Sequence, residues 1–294
     1  MKRRFSAWKE EFIMEKSIKR YMPIFVLPTF FAFILGFIVP FIMGIWLSFC
    51  KFTTVTDAKF VGFSNYIEAL KDTAFRHSFW YTVLFAIASL LIINIIAFAL
   101  AMALTKEMHG TNVFRTIFFM PNLIGGIVLG YIWQLIFNGV LSRYGTALAL
   151  NEWYGFWGLI ILVSWQQIGY MMIIYIAGLQ SIPGDIIEAA EIDGAGPFKT
   201  FLQVIIPVSK PVFATVFILD YVAYWSDFMW PLLVITDAGK RTVQLGIQTF
   251  FTEPPVYYGP IMAALTIASV PMIIMFLFLQ KYYVQGISTS GIKG

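Results

Sequence analysis

Residues 79–105 read FWYTVLFAIASLLIINIIAFALAMALT, and these 27 positions contain no Lys, Arg, Asp or Glu. A helix that crosses the hydrocarbon core of a bilayer needs about 20 consecutive, mainly apolar residues. This run is therefore long enough to span a membrane. Because no water reaches the bilayer core, the backbone N–H and C=O groups of the run must bond to one another, and a helix achieves this within one segment.

Five other apolar segments have the same character. Together with the first they predict six spans, at Met22–Phe49, Phe79–Thr105, Thr116–Phe137, Phe156–Gln180, Val212–Thr236 and Pro260–Gln280. The composition agrees, since 59% of the residues are hydrophobic, only 12% are charged and the mean hydropathy is +0.78. Soluble domains carry about 25% charged residues. The predicted fold class is therefore an all-α membrane protein with about six transmembrane helices, surrounded by membrane lipid.

The Lys and Arg residues predict how the spans are oriented. With the N-terminus inside, the inner segments are 1–20, 106–115, 181–211 and 281–294. They hold thirteen of the 20 Lys and Arg residues, and an excess of these residues marks the cytoplasmic side. Both termini are therefore expected in the cytoplasm. The chain then divides into a cytoplasmic N-terminal segment (1–21), a six-helix transmembrane domain (22–280) and a cytoplasmic tail (281–294).

Composition also argues against several functional classes. The chain has one cysteine, Cys50, so it cannot form an internal disulfide or a cysteine-rich metal site. Its two histidines, His77 and His109, lie in different predicted loops, and no metal site is expected. The net charge of +4 comes from basic residues beside the apolar runs, as membrane topology requires. It does not indicate nucleic-acid binding.

The loop between the fourth and fifth spans, residues 181–211, reads SIPGDIIEAAEIDGAGPFKTFLQVIIPVSKP. The pattern predicts a short helix over Ile186–Ile192 with Asp185 as its N-cap. A break at Gly194–Pro197 and a second helix over Phe198–Ile206, ended by Pro207, complete a helix–turn–helix elbow at the membrane surface. On pattern alone, an ordinary linker between two spans remains the alternative.

Two short motifs in this loop carry a family resemblance. Glu188-Ala189-Ala190 and Asp193-Gly194-Ala195-Gly196 resemble the EAA loop of ATP-binding cassette import permeases. More narrowly, Tyr170–Pro211, Phe60–Tyr66 and Phe114–Pro121 resemble the maltose-type carbohydrate uptake permeases. Such importers pair two permeases. The first half of this chain resembles the first partner, whereas residues 242–259 and 284–294 resemble the second.

The resemblance implies a role for the elbow as a coupling helix that docks onto an ATPase. The residues to which it assigns this coupling are Glu188, Ala189, Ala190, Asp193, Gly194 and Gly196. In this interpretation Gly194 permits the sharp turn and Asp193 caps the second helix. The tail after Gln280 resembles a segment that enters the interface between ATPase subunits, although its polar, glycine-rich sequence would be disordered in isolation.

The resemblance also implies the partners. The sequence contains no G-x-x-x-x-G-K-[ST] run for nucleotide phosphates. The chain is therefore expected to be a transport subunit rather than an enzyme and to hold no cofactor. ATP and Mg²⁺ would be bound by two ATPase subunits. The other expected partners are a second permease, an extracellular solute-binding protein and a sugar or oligosaccharide, with the chain in the cytoplasmic membrane of a prokaryote.

Polar residues inside the spans are the candidates for the substrate passage, because polar side chains are costly in lipid unless they face the bundle interior or a cavity. In the fourth span they are Gln166, Gln167 and Tyr170. In the fifth span Asp220, Tyr224 and Asp227, at i, i+4 and i+7, are predicted to share one helix face and to meet water, ligand or a basic partner. Amides, carboxylates and aromatic rings suit a neutral sugar.

The alternative for these polar residues is hydrogen bonding between helices, which is common for Asn, Gln and Tyr in membrane bundles. That interpretation is preferred for Asn94, Asn122 and Gln134.

Other functions fit the residues less well. An importer of the same type could carry a polyol, glycerol phosphate or a polyamine, but no Lys or Arg lies in the six predicted spans to bind a phosphate. An ion-driven secondary transporter would show inverted repeats and broken half-helices, and no internal repeat is evident. A membrane enzyme would need a cluster of catalytic groups, which is not found.

Overall fold

The computed structural model describes residues 21–105, 109–235, 241–251 and 256–290, so most of the predicted N-terminal segment and the end of the tail lie outside the described residues. The first helices are α1 (Tyr21–Ser48), α2 (Ser64–Lys71), α3 (Thr73–Thr105), α4 (Thr111–Phe119), α5 (Gly126–Leu141) and α6 (Glu152–Gln180). The later helices are α7 (Gly184–Ile192), α8 (Pro197–Val208), α9 (Lys210–Trp225), α10 (Met229–Val234), α11 (Val243–Gly246) and α12 (Tyr258–Ser290). Two short strands, β1 (Cys50–Lys51) and β2 (Lys59–Phe60), form a hairpin.

The described helices confirm an all-α membrane fold. Four of them are long and apolar enough to cross a bilayer, namely α1, α3, α6 and the part of α12 that covers Tyr258–Tyr282. Two bent pairs also qualify when each is counted as one span. They join α4 and the turn after it to α5, with a bend of 97°, and α8 to α9, with a bend of 65°. The six predicted spans thus correspond to four continuous helices and two broken ones.

The third predicted span, Thr116–Phe137, is not one straight helix. The segment after α4 tightens into a 3₁₀ turn over Met120–Leu123, and Ile124 then adopts extended backbone angles before α5 begins. Pro121 has no N–H for the helix ladder, and the neighbouring Gly125 and Gly126 are poor helix formers. These residues break the helix in the middle of an apolar run.

The fifth and sixth spans also differ from their predicted limits. The fifth was predicted as Val212–Thr236, but α9 ends at Trp225 and a separate helix, α10, follows. The sixth was predicted to end at Gln280, whereas α12 continues to Ser290. The first ten residues of the tail, 281–290, are therefore helical in this structure.

The chain forms two compact units, of which the smaller contains the residues up to Tyr66 together with Tyr257–Thr266. In it, β1 and β2 pair antiparallel, with Cys50 opposite Phe60. Asn65 fixes the approach to this hairpin, because its side-chain amide donates hydrogen bonds to the carbonyl oxygens of Ser48 and Cys50, at 2.8 and 2.9 Å. Most of the large apolar side chains of α1 are exposed in the isolated chain, as expected for a span that faces lipid.

The larger unit contains Ile67–Val256 and the remainder of α12. Its most extensive helix interface joins α3 to α6, and α9 packs against both. Phe85, Ile93, Leu162 and Met172 are completely or almost completely buried there. The indole N–H of Trp225, at the end of α9, donates a 2.8 Å hydrogen bond to the carbonyl oxygen of Ala268 in α12. This unit holds most of the residues predicted to be functional.

Gly169 marks the closest approach between α6 and the broken third span. A Cβ at this position would overlap the backbone carbonyl of Phe118 in α4, which cannot move as a flexible side chain would. We expect Gly169→Leu to lower the melting temperature of the purified protein, because overpacking costs about 1–3 kcal/mol or more. Gly139→Leu is the matched control, since a Cβ at the helical Gly139 meets open space. Equal melting temperatures for the two variants would contradict this packing.

Candidate functional site

The loop between α6 and α9 folds as the predicted elbow. The helix α7 ends at a left-handed turn in which Gly194 has φ of +76°. The N–H of Gly194 bonds to the carbonyl of Glu191 at 3.0 Å, and the N–H of Ala195 bonds to that of Ala190 at 2.9 Å. These bonds satisfy carbonyls that the helix end would leave free. Glycine suits this position because other residues reach positive φ only at a cost.

The outer surface of the elbow combines acidic, small and large apolar side chains. Glu188 and Ala189 are exposed on α7, and Ala190 is half-buried. Ile192 is 79% exposed and Phe198, on the other side of the turn, is 74% exposed. Two large apolar side chains this far from the protein interior form a surface that a second protein can cover. The structure thus brings the predicted coupling residues together on one accessible turn.

The caps of the elbow helices differ from those predicted. Helix α7 begins one residue earlier than Asp185, and its N-cap is Pro183. The Asp185 carboxylate instead accepts a hydrogen bond from the N–H of Ile186. Asp193 is the C-cap of α7 and does not cap α8, whose N-cap is Gly196. Pro207 does not end the second helix, because a π-helical segment over 201–205 precedes it and the chain stays helical to Val208.

A buried polar network joins α3, α6 and α9. The amide nitrogen of Asn94 in α3 donates a 2.7 Å hydrogen bond to one carboxylate oxygen of Asp220 in α9. The hydroxyl of Tyr224 donates to the other carboxylate oxygen at 2.9 Å. The hydroxyl of Tyr175 in α6 donates to the amide oxygen of Asn94 at 2.6 Å. Asn94 therefore bridges all three helices, which confirms its predicted role as a helix–helix contact.

This network changes the interpretation of two predicted passage residues. Asp220 is 0% exposed and Tyr224 is 3% exposed within the single chain. The prediction that Asp220 meets water, a ligand or a basic partner is wrong for this structure, because its hydrogen-bond partners are a neutral amide and a hydroxyl of the same chain. Buried polar groups need partners in an apolar medium, and here the neighbouring helices supply them.

The fourth-span residues lie beside the break in the third span. Asn122, in the turn after α4, donates a 3.1 Å hydrogen bond from its amide to the Gln167 side-chain oxygen. The ring of Tyr170 lies 6.5 Å from that of Phe119 and is 37% exposed. Gln166 is 7% exposed, and its side-chain oxygen accepts no hydrogen bond from the described part of the chain. The Gln167 and Tyr170 side chains thus contact the segment in which the third span is broken.

Asp227 lies outside the helix that carries Asp220 and Tyr224. Because α9 ends at Trp225, the predicted i, i+7 relation to Asp220 does not exist. The Asp227 carboxylate accepts a 3.2 Å hydrogen bond from the backbone N–H of Trp230 and so stabilises the start of α10. Its side chain is half-buried.

Sequence reasoning missed Tyr175 as a functional neighbour of Asp220. No spacing pattern connects it to Asn94, which lies 81 residues away along the chain. An unpaired Asp in one span is a signal that polar partners exist in other spans, but it does not identify them.

Comparison with known sequences finds relatives that are all components of transport systems. A model of the family described as binding-protein-dependent transport system inner membrane component matches residues 95–289. The chain is 37% identical over 230 residues to the probable starch degradation products transport system permease protein AmyD of Thermoanaerobacterium thermosulfurigenes, covering 76% of this chain and 79% of that protein. It is 31% identical over 226 residues to the arabinooligosaccharides transport system permease protein AraP of Bacillus subtilis, covering 73% of this chain and 70% of that protein.

Comparison with solved structures supports the same fold. A chain from the crystal structure of a bacterial ABC transporter involved in the import of the acidic polysaccharide alginate superposes with a TM-score of 0.73. The alignment covers 96% of this chain and 99% of that chain at 18% sequence identity. A similarity at this level of identity concerns the arrangement of the helices.

Proposed function

The chain belongs to the family of binding-protein-dependent transport system inner membrane components, and on that premise we propose that it forms half of the passage through an ATP-binding cassette importer for a sugar or oligosaccharide. It is a multi-pass membrane permease. The names of its relatives support the substrate class, since they include permeases for starch degradation products, arabinooligosaccharides and multiple sugars.

The observation that carries the proposal is the elbow. It connects α6 directly to the broken fifth span, and both of those helices contribute to the Asn94 network. A partner that moves Glu188, Ala189 and the turn at Gly194 would therefore move two spans of the core. This arrangement suits a chain whose transport cycle is driven from outside the membrane.

The driving partner in this proposal is a pair of ATPase subunits on the cytoplasmic side. They bind ATP and Mg²⁺, and this chain only receives their motion through Glu188, Ala189, Ala190, Asp193, Gly194 and Gly196. A second permease completes the passage, and an extracellular solute-binding protein delivers the sugar. The loop 181–211 and both termini then lie in the cytoplasm of a prokaryotic cell, in accordance with the distribution of Lys and Arg.

Within the passage we assign sugar contacts to Gln166, Gln167, Tyr170 and Asp227. The first three lie on α6 close to the break in the third span, and Asp227 lies at the break after α9. Amide and carboxylate groups exchange hydrogen bonds with sugar hydroxyls, and a tyrosine ring can cover the apolar face of a pyranose. Asp220 and Tyr224 instead hold the helices together.

The proposal is tested by reconstitution. The purified chain alone should hydrolyse no ATP. Proteoliposomes that contain it with its second permease, the ATPases and the binding protein should show hydrolysis that rises when sugar-loaded binding protein is added. ATP turnover by the isolated chain, or no stimulation in the full assembly, would contradict the proposal.

The passage residues make a separate prediction. Gln167→Ala and Tyr170→Ala should each reduce sugar uptake by about 2- to 10-fold, because a lost hydrogen bond costs about 0.5–1.5 kcal/mol. Uptake of labelled sugar and basal ATPase activity are measured in the same vesicles. Basal hydrolysis and assembly of the complex should persist. Tyr144→Ala, which alters an 80% exposed tyrosine in the turn after α5, is the control. If the two variants instead fail to assemble with the partner subunits, Gln167 and Tyr170 act in helix packing and not in substrate binding.

A further inference from the structure

A cavity of about 540 Å³ lies between the elbow and the ends of two spans. The ends of α3 and α6 contribute Met102 and Leu179, α7 contributes Ile187, and α8 contributes Phe201 and Ile205. Small-molecule sites in proteins are concave, mainly apolar and typically about 300–1,000 Å³ in volume. This cavity meets those criteria, and the transport function proposed above does not use it.

The polar groups of the lining are few, and they differ in what they can offer a ligand. The hydroxyl of Thr105 already donates a 2.6 Å hydrogen bond to the carbonyl of Ala101, and that of Thr200 contacts the carbonyl of Ala195 at 3.4 Å. Among the described residues that line the cavity, Glu191 is the one with a charge. A ligand with a long apolar body and a cationic end would match both the walls and this carboxylate.

The position of the cavity indicates where such a ligand comes from. Thr105 is the last residue of α3, and Leu179 precedes the last residue of α6. Both helices are long enough to cross the bilayer, and at about 1.5 Å per residue their 33 and 29 residues exceed the roughly 30 Å hydrocarbon core. The helix ends that line the cavity are therefore expected at the level of the lipid head groups. The amphiphiles present there in greatest amount are the membrane lipids themselves.

We propose that this cavity binds a membrane lipid with a primary ammonium head group, whose acyl chain lies against Met102, Ile187 and Phe201 and whose ammonium group pairs with Glu191. The wall on the α8 side includes the π-helical segment Phe201–Ile205, a distortion that occurs frequently at functional sites. A lipid held here fills the space between the elbow and the spans. Movement of the elbow is then transmitted to α3 and α6 through a packed interior.

The test uses the complete importer in nanodiscs and a phosphatidylethanolamine that carries a photoactivatable group in its acyl chain. After illumination, mass spectrometry of peptides should locate the label on the segments that contain Met102, Phe201 or Ile205. Glu191→Gln should reduce this labelling by about 1.5- to 5-fold, because Glu191 is exposed and an ion pair at an exposed carboxylate is worth about 0.2–1 kcal/mol. Asp185→Asn alters another carboxylate of α7 that does not line the cavity and should leave labelling unchanged.

Two further comparisons keep the proposal falsifiable. A phosphatidylcholine with the same photoactivatable chain should label the site less than phosphatidylethanolamine, because a trimethylammonium group has no N–H to donate. Ile187→Trp should occupy the cavity and reduce labelling by both lipids. Equal labelling of wild type and Glu191→Gln, or labelling of the isolated chain but not of the assembled importer, would overturn the proposal. Because labelling is measured without transport, failure of the sugar-importer function would not alter it.

Discussion

Gly194→Val is expected to reduce sugar uptake by at least about tenfold while the chain still inserts into the membrane. Gly194 has φ of +76°, and a left-handed conformation costs an ordinary L-residue about 1–2 kcal/mol. For a β-branched residue it is a genuine outlier. The turn would open to relieve this strain, and Glu188 and Ala189 would no longer lie at a fixed position relative to Phe198. Uptake by proteoliposomes and the amount of inserted protein are measured together.

Gly194→Asn provides the matched control, because Asn tolerates the left-handed region far better than valine. It should retain most of the uptake and most of the ATPase stimulation by loaded binding protein. If valine and asparagine variants both import at the wild-type rate, the turn does not couple hydrolysis to transport. If both fail equally, the loss does not arise from backbone conformation.

Asn94→Leu is expected to destabilise the permease by about 2–4 kcal/mol, the second large effect. The substitution removes the donor to Asp220 and the acceptor for Tyr175 in one step. A buried polar group left without a partner, as the Tyr175 hydroxyl would be, costs about 1–3 kcal/mol. The Asp220 carboxylate would lose one of its two side-chain donors and keep the other, Tyr224. The measurement is the fraction of folded chain along a denaturing-detergent titration, compared with that of the wild-type protein.

A double-mutant cycle separates this network from simple packing. Asp220→Leu combined with Asn94→Leu removes both polar partners, so the double variant should be more stable than the sum of the two single effects predicts. Asp220→Asn keeps an acceptor at the same position and should cost less than Asp220→Leu. Strictly additive effects would show that Asn94 and Asp220 do not interact across the helices.

The spans and the elbow were predictable because each depends on local sequence. An apolar run such as 79–105, which contains no proline or glycine, satisfies its backbone hydrogen bonds in lipid within one helix, without help from other segments. Likewise, Gly194 in a small-residue turn after an amphipathic segment predicts a helix end at that place. The structure confirms both, with α3 over Thr73–Thr105 and a positive φ at Gly194.

The breaks were harder to predict. The residues Pro121, Gly125 and Gly126 are visible in the sequence, but membrane helices often tolerate proline and glycine because neighbouring helices satisfy the freed backbone groups. The end of α9 at Trp225 has no such marker. There the carboxylate of Asp227 accepts a hydrogen bond from the backbone N–H of Trp230. Such a side-chain bond competes with the continuation of the helix and cannot be inferred from the spacing of apolar residues.

The buried network could not be assigned from sequence for a different reason. Asp220 and Asn94 are 126 residues apart, and only the packing of α9 against α3 brings them together. The rule that charged residues in a span avoid lipid correctly predicted that Asp220 has polar hydrogen-bond partners. Whether those partners belong to the substrate or to another helix depends on the tertiary structure.

The exposed apolar residues of the elbow have a consequence for the life of the protein in the cell. A copy that is inserted before its partners arrive would display Ile192 and Phe198, 79% and 74% exposed, on the side where we place the ATPases. Surfaces of this kind are recognised by chaperones and membrane proteases, which remove unassembled subunits. We therefore expect the half-life of the chain to shorten sharply in cells that lack the ATPase, so that the supply of one subunit sets the abundance of the other.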